Sequence, residues 1–387
     1  MTPFVEAAFW SSVAMLAYAY AGFPVLVGLV GLWRRREVFK DSETPTVSVI
    51  IAAYNEQAVI AERLENILAS EYPSARLEVI VADDGSSDRT AEIVNRYRDR
   101  GIRLLSFPRR GKIPALNDAV AHATGEILVF SDANIQCRRT ALAAMMQNFA
   151  DPRVGGVAGH TTYLVTAQTE SSGDGERLYW QYDTWLKQLE SQTGSVVSAH
   201  GGLYAIRRRL YRTVTDASVT DDFAISTAVI EQGYRLVFEP GARAYEHTTA
   251  DARRELRRRV RLMTRGLRGV SLRRHLLNPF RYGFYAVWLL SHKVLRRLAP
   301  VWLVVIALAT AVLAGTGSPF FIAAGAAQAA FYGLAIAGGL LRRRNVGRLK
   351  PLCVPFYYCM ANAASALALW HFLRGTRISL WQPQRSA

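Results

Sequence analysis

Two apolar runs of strand length, Val47–Ala53 and Leu77–Ala82, each stop abruptly in polar residues. The first ends in Tyr54-Asn55-Glu56 and the second in Asp83-Asp84-Gly85-Ser86-Ser87. Neither run alternates between apolar and polar positions, which is the pattern of strands covered on both faces in a parallel sheet. Further strands are predicted over Ile102–Ser106, Glu126–Ser131 and Gly156–Gly159. Helices are predicted over Glu56–Ser70, Asp88–Arg100, Ile113–Ala123 and Thr140–Phe149. Strand and helix alternating at such short intervals predict a doubly wound, mostly parallel α/β sheet. In open sheets of this kind ligands bind beyond the carboxyl ends of the strands, and the polar residues collect at those ends here. Thr166 to Gly175 is polar and reads as a loop.

The remaining apolar content lies at the two ends of the chain. Ala7–Trp33 carries no charge and is followed at once by Arg34-Arg35-Arg36. It is long enough to cross a bilayer, and its cationic cluster follows the span, unlike that of a signal peptide. Pro300–Ala314, Pro319–Leu341 and Pro351–Phe372 are expected spans as well. Phe280–Pro300 mixes aromatic residues with Lys293, Arg296 and Arg297, the pattern of an interfacial amphipathic helix. The expected organisation is a transmembrane helix with its basic flank over 1–36 and a globular catalytic domain over 46–270. Interfacial helices over 271–299 and C-terminal spans with a tail over 300–387 complete it. The basic flanks Arg34–Arg36 and Arg342–Lys350 assign the cytosolic side of a plasma or inner membrane, with the globular domain in the cytosol.

A formal net charge of +16 suggests anionic partners: nucleic acid, anionic lipid or phosphorylated substrates. Much of that basicity lies beside apolar spans, where lipid and topology account for it, so nucleic acid is not expected. The three cysteines form no disulfide framework and fit a reducing compartment. Histidine and cysteine are not spaced as zinc ligands.

Several stretches could carry chemistry. The predicted strand Glu126–Ser131 runs into Asp132-Ala133-Asn134, a carboxylate and an amide two positions apart. Such a pair can hold Mg2+ or Mn2+, or simply begin a turn. Thr220-Asp221-Asp222-Phe223 precedes a helical stretch, either as helix-start acids or with Asp222 as a general base. Arg257–Arg261 suits phosphate oxygens or anionic lipid. Lys112 stands where a helix begins, as an anion ligand or a surface lysine. Ser198-Ala199-His200-Gly201-Gly202 permits close approach to the backbone, or is a plain turn.

In chain order, VSVIIAAYNE, VADDGSSDRT, GKIPALNDA, GEILVFSDAN, SAHGGLYAIRR, TDDF, GYRLVFEPGARAYE and RRRVR resemble the family-2 glycosyltransferases of the GT-A fold. The resemblance is strongest to the membrane-embedded polysaccharide synthase type. It implies transfer of a hexosyl or N-acetylhexosaminyl group, with inversion, from a nucleotide sugar, usually UDP-linked. A lipid, a lipid-linked sugar or a polysaccharide is the implied acceptor. Carried over by position, Ala53, Tyr54, Glu56, Asp84, Lys112 and Ser131 would bind the nucleotide, and Arg258, Arg259 and Arg261 the diphosphate. Asp132 would be the metal aspartate of the DxD motif, also contacting the nucleotide, with Asn134 as its partner. Asp222 would be the base beside Asp221, and His200, Gly201 and Gly202 would border the acceptor. Three positions depart from the pattern. Ala52 replaces a proline, Asn134 replaces the second aspartate, and Leu256-Arg257-Arg258-Arg259-Val260 lacks the Gln and Trp of the QxxRW motif, which bears on processivity. The rival expectations are a nucleotidyltransferase and a membrane receptor or transporter with a nucleotide-binding domain. Acids at several strand ends count against pure binding of an anion.

Overall fold

The computed structural model describes residues 2–42, 44–164, 173–247, 252–341, 346 and 349–377. The chain forms two compact units. A sheet unit comprises Gly31–Leu164, Lys187–Thr248 and Arg377–Ala387, and a helical unit comprises Met1–Val30, Val165–Leu186 and Thr249–Thr376.

In chain order the elements begin with α1 (Thr2–Ala17), α2 (Phe23–Trp33), β1 (Val47–Ala53), α3 (Ile60–Leu68) and β2 (Leu77–Asp83). Next come α4 (Thr90–Asn95), β3 (Ile102–Ser106), α5 (Lys112–Ala121), β4 (Ile127–Asp132), β5 (Ile135–Cys137) and α6 (Ala141–Met146). β6 (Val154–Leu164), α7 (Gly173–Thr193), β7 (Leu203–Arg207), α8 (Asp221–Glu231) and β8 (Arg235–His247) complete the sheet. The chain continues through α9 (Ala252–Leu272), α10 (Pro279–Tyr282), α11 (Phe284–Leu289), α12 (Arg296–Ala314), α13 (Pro319–Leu341) and α14 (Lys350–Leu373).

The eight strands run in the order β3-β2-β1-β4-β7-β6-β8-β5. The β3-β2-β1-β4 half is parallel throughout. Every residue of β1 is buried, as its unbroken apolar run requires of a central strand covered on both faces. Beyond β4 the sheet is mixed: β7 is antiparallel to β4 and β6, β6 is parallel to β8, and β5 is antiparallel to β8. The strand expected over Gly156–Gly159 is the middle of the longer β6. The helix expected over Asp88–Arg100 is only the short α4, followed by a 3-10 turn at Arg98–Arg100. The chain winds outward from β1 through β2 and β3 on one side and through β4 on the other. That reversal opens a crevice at the carboxyl ends of β1 and β4. Register sets those ends level, with Ala53 opposite Asp83 on β2 and Ala52 opposite Asp132 on β4.

Among the described residues, four stretches are long and apolar enough to cross a membrane: Thr2–Trp33, Phe284–Ala314, Pro319–Leu341 and Lys350–Leu373. The second corrects an expectation. Most of Phe280–Pro300 is not a separate interfacial helix but the first part of a 31-residue helical stretch, joined through a π-helical turn at Leu290–Leu295. The span nearest the N-terminus has a π turn of its own at Tyr18–Gly22, and the Tyr18 and Ser291 hydroxyls meet at 2.9 Å. Helix α9, expected at the end of the globular domain, belongs to the helical unit. Of the expected loop, residues 166–172 lie outside the described residues, and Gly173–Gly175 open α7.

Candidate active site

At the end of β2 the two adjacent carboxylates serve the backbone. Asp83 accepts from the amide and hydroxyl of Ser86 and so closes the turn through Gly85. Gly85 has φ +72°, and a Cβ there would lie 2.8 Å from the Arg109 nitrogen, so only glycine allows the 109–111 segment to lie against this turn. Asp84 is fully buried. Its oxygens accept from the amides of Arg110 (2.8 Å) and Gly111 (2.9 Å) and from the Arg109 guanidinium. Those amides directly precede α5, where backbone donors and the helix dipole favour an anion. Arg109 in turn lies over the Tyr54 ring, 3.4 Å from its centroid. Tyr54, Asp84 and the start of α5 are thereby tied into one rim of the crevice. Along that rim, Ala53 is buried and its carbonyl accepts from the Asp84 amide. Glu56 is buried, and its amide donates to Thr90 Oγ1.

A second group of acids gathers where β4 ends. Lys112, the first residue of α5, donates to Asp132 Oδ1 at 2.7 Å and pairs with Asp221 Oδ2 at 2.8 Å. Asp221 and Asp222 open α8 after Thr220, which leaves their charges at the favourable end of that helix. Gly201 lies between Asp132 at the end of β4 and Asp222 at the start of α8. A Cβ built on it would be 3.7 Å from Asp222 Oδ2 and 3.8 Å from Asp132 Oδ2. Residues from three distant parts of the sequence therefore share one site. Burial works to lower the Lys112 ammonium, but the charges of Asp132 and Asp221 outweigh it and hold its pKa above the ordinary lysine value. Asp222 moves the other way from a normal aspartate. Burial first, then the neighbouring Asp221 charge, raises its pKa, against the hydrogen bonds from Thr220 and the Phe223 amide. Asp132 and Asp221 thus share the Lys112 ammonium, and the buried Asp222 beside them has raised basicity.

This group of carboxylates bears on a divalent cation. Among the described residues, no three histidine, cysteine, aspartate or glutamate side chains form a self-sufficient metal cage. Hard cations that act on phosphates are often held by one or two carboxylates plus the phosphate oxygens, and Asp132, with its Oδ2 turned toward Gly201 and Asp222, suits that arrangement. Asn134 donates its amide to Glu246 Oε1 at 3.3 Å.

The other expected residues are placed as follows. Ser131 is buried, and its hydroxyl lies between the Arg63 guanidinium (3.0 Å) and the Gly202 carbonyl (2.9 Å). Adjacent strand residues point to opposite faces, so Ser131 and Asp132 cannot line the same face of β4. His200 Nδ1 accepts from the Gly202 amide at 3.4 Å, and a Cβ on Gly202 would meet Thr161 Oγ1 at 2.8 Å. Arg258, Arg259 and Arg261 lie on α9 in the helical unit. There Glu255 pairs with Arg259 at 2.6 Å and Arg258 at 3.6 Å, and Arg259 also stacks on Tyr357. Sequence reasoning missed Arg63, Arg109 and Tyr204. Tyr204 is fully buried against Phe130, and burial followed by the Asp221 and Asp222 charges pushes its phenol well above the ordinary tyrosine value. Its one sequence signal was a tyrosine within the quoted SAHGGLYAIRR stretch.

Comparison with known proteins accords with this geometry. The Glycosyl transferase family 2 model matches residues 48–215, and the Glycosyl transferase family group 2 model matches residues 136–335, just over half of the chain. The chain belongs to the family-2 glycosyltransferases. This glycosyltransferase is 29% identical over 219 residues to "Probable glycosyltransferase YdaM" of Bacillus subtilis, covering 53% of this chain and 51% of the relative. It is 28% identical over 231 residues to beta-monoglucosyldiacylglycerol synthase of Trichormus variabilis, covering 56% and 48%. It is also 28% identical over 234 residues to poly-beta-1,6-N-acetyl-D-glucosamine synthase of Staphylococcus aureus, covering 56% and 55%. The chain thus spans about half the length of the curated relatives it matches. Among solved structures it resembles the mannosyltransferase PcManGT of Pyrobaculum calidifontis, determined with GDP-Man and Mn2+. That match has a TM-score of 0.73 and 26% identity, over 96% of this chain and all of the other. The glycosyltransferase therefore has the GT-A type of fold, with one N-terminal and three C-terminal candidate membrane helices.

Proposed function

We propose that this glycosyltransferase moves a sugar, with inversion, from a nucleoside diphosphate donor to a hydroxyl presented at a membrane, with Asp222 as the base. The observation that carries the reading is the meeting of Asp132, Asp222 and the Lys112–Asp221 pair around Gly201. In the proposed step Asp222 takes the proton from the acceptor hydroxyl as that oxygen attacks the anomeric carbon, and the bond to the diphosphate breaks on the opposite face. A carboxylate made more basic by burial and by a neighbouring charge is suited to that task. Asp221 and Lys112 hold the base and the β4 end in register with each other. A divalent cation, Mg2+ or Mn2+, held by Asp132 would neutralise charge on the departing diphosphate.

The nucleoside is recognised, in this reading, along the Tyr54–Asp84–Arg109 rim. A UDP-linked donor follows from the family resemblance, and a GDP-linked one is favoured by the donor bound in PcManGT. The acceptor is a lipid, a lipid-linked sugar or a growing polysaccharide, since the four apolar helices supply a membrane beside which it would be offered. The arginine cluster after the first span supports a cytosolic catalytic unit. The altered QxxRW region favours one or few additions over long-chain synthesis. The full chain, purified in detergent, is assayed with Mn2+ and a panel of UDP- and GDP-linked sugars against lipid and oligosaccharide acceptors, with products identified by mass spectrometry. Sugar transfer with inverted linkage is expected. Hydrolysis-free binding without any product across the panel would refute an enzymatic role.

A further inference from the structure

Helix α3 presents Ile60, Arg63, Leu64 and Ile67 to the core, so an arginine occupies a position in an otherwise apolar stripe. Arg63 is 2% exposed and makes no ion pair among the described residues. Burying a guanidinium without a carboxylate is costly, and its neutral contacts are therefore informative. Through Nη2 it donates to Ser131 Oγ at 3.0 Å, and through Nη1 to Asn66 Oδ1 at 2.8 Å. Asn66 then bonds both backbone groups of Cys137, accepting from its amide at 2.8 Å and donating to its carbonyl at 2.9 Å. Ser131 is the residue before Asp132, and Cys137 closes the short β5. One turn of α3 thus grips the chain on both sides of Asp132-Ala133-Asn134. Ser131 passes the contact on, donating to the Gly202 carbonyl beside the glycine that separates Asp132 from Asp222.

We propose that Arg63 and Asn66 are positioning residues that hold the Asp132–Asn134 turn and the Gly201–Gly202 segment in the geometry that binds the cation. This rests on the reading of Asp132 as the cation ligand. Residues behind metal ligands typically change metal affinity or activity by ~10–100-fold when replaced. The test titrates Mn2+ into the full chain in detergent with UDP or GDP present, followed by the electron paramagnetic resonance of free Mn2+, with melting temperature measured in parallel. Arg63→Met, close in length and apolar, is expected to weaken Mn2+ binding by ~10–100-fold without lowering the melting temperature, because it removes a buried unpaired charge. Arg63→Lys, which keeps a donor within reach of Ser131, should recover part of the loss. Unchanged Mn2+ affinity in Arg63→Met, with or without a lower melting temperature, would overturn the proposal. If Arg63→Met does not fold, Ser131→Ala, which removes the same link at its far end, decides by the same criterion. A wild-type chain that binds no Mn2+ with either nucleotide would instead refute the reading of Asp132 on which this rests.

Discussion

The two acidic strand ends of the sheet look alike in sequence and differ in their partners. At the end of β2, the Asp84 oxygens accept from the Arg110 and Gly111 amides and the Arg109 guanidinium. At the end of β4 and the start of α8, Asp132 and Asp221 both pair with the Lys112 ammonium, and Asp222 lies across Gly201 from Asp132. A carboxylate supplied with donors shapes a binding rim. Burial and the neighbouring Asp221 charge raise the affinity of Asp222 for a proton, the property that proton abstraction calls on. In the proposed function this contrast separates a nucleotide-holding edge from a reacting centre.

Asp222→Asn attacks the contrast most directly. Transfer is expected to fall by ~10²–10⁴-fold. A raised carboxylate pKa in the fold means that stability is full below the unfolded pKa and is lost as pH rises toward the folded one, so at pH 7 the charged group opposes folding. The variant should therefore melt no lower than wild type at neutral pH, as calorimetry can check. A lower melting temperature together with residual wild-type turnover would make Asp222 structural.

Lys112→Met removes the ammonium that Asp132 and Asp221 share. Loss of these charge-assisted bonds should cost ~1.5–3 kcal/mol of stability in denaturant titration. Losing the ammonium also raises the Asp222 pKa further, moving the acid limb of kcat/KM to higher pH. Asp84→Asn strikes the rim instead. Weakened charge-assisted bonds should cost ~1.5–3 kcal/mol and raise the donor KM, with kcat at saturating donor little changed. If kcat fell and KM held, the division of labour between the two strand ends would be wrong. The smallest expected effect is that of Asp221→Asn. Its charge raises the Asp222 pKa, so removing it should shift the acid limb of the pH profile downward.

The central half of the fold was legible because it is local. β1, β2 and β4 are apolar runs ending in acids or amides, and strands buried on both faces leave that signature wherever they occur. β5, β7 and β8 left no such signature. β5 has three residues, and β8 mixes Arg235, Glu239 and Arg243 with its apolar positions, so neither the length nor the period of a strand stands out. The start of the second membrane stretch was blurred for a related reason. Lys293, Arg296 and Arg297 read as interfacial, although the helix runs through them unbroken to Ala314.

The sequence by itself determined that a parallel sheet would end in carboxylates, that Asp84 and Asp132 would each stand at a strand end, and that apolar segments would precede and follow the sheet in the chain. Those features depend on composition within a few residues. Tertiary structure alone decided that Leu203 pairs with Ser131, bringing Gly201 and then Asp222 to Asp132, and that Arg63 supports the turn from behind. Side-chain partners so far apart in the chain are chosen by packing and register, which no local pattern of apolar and polar residues encodes.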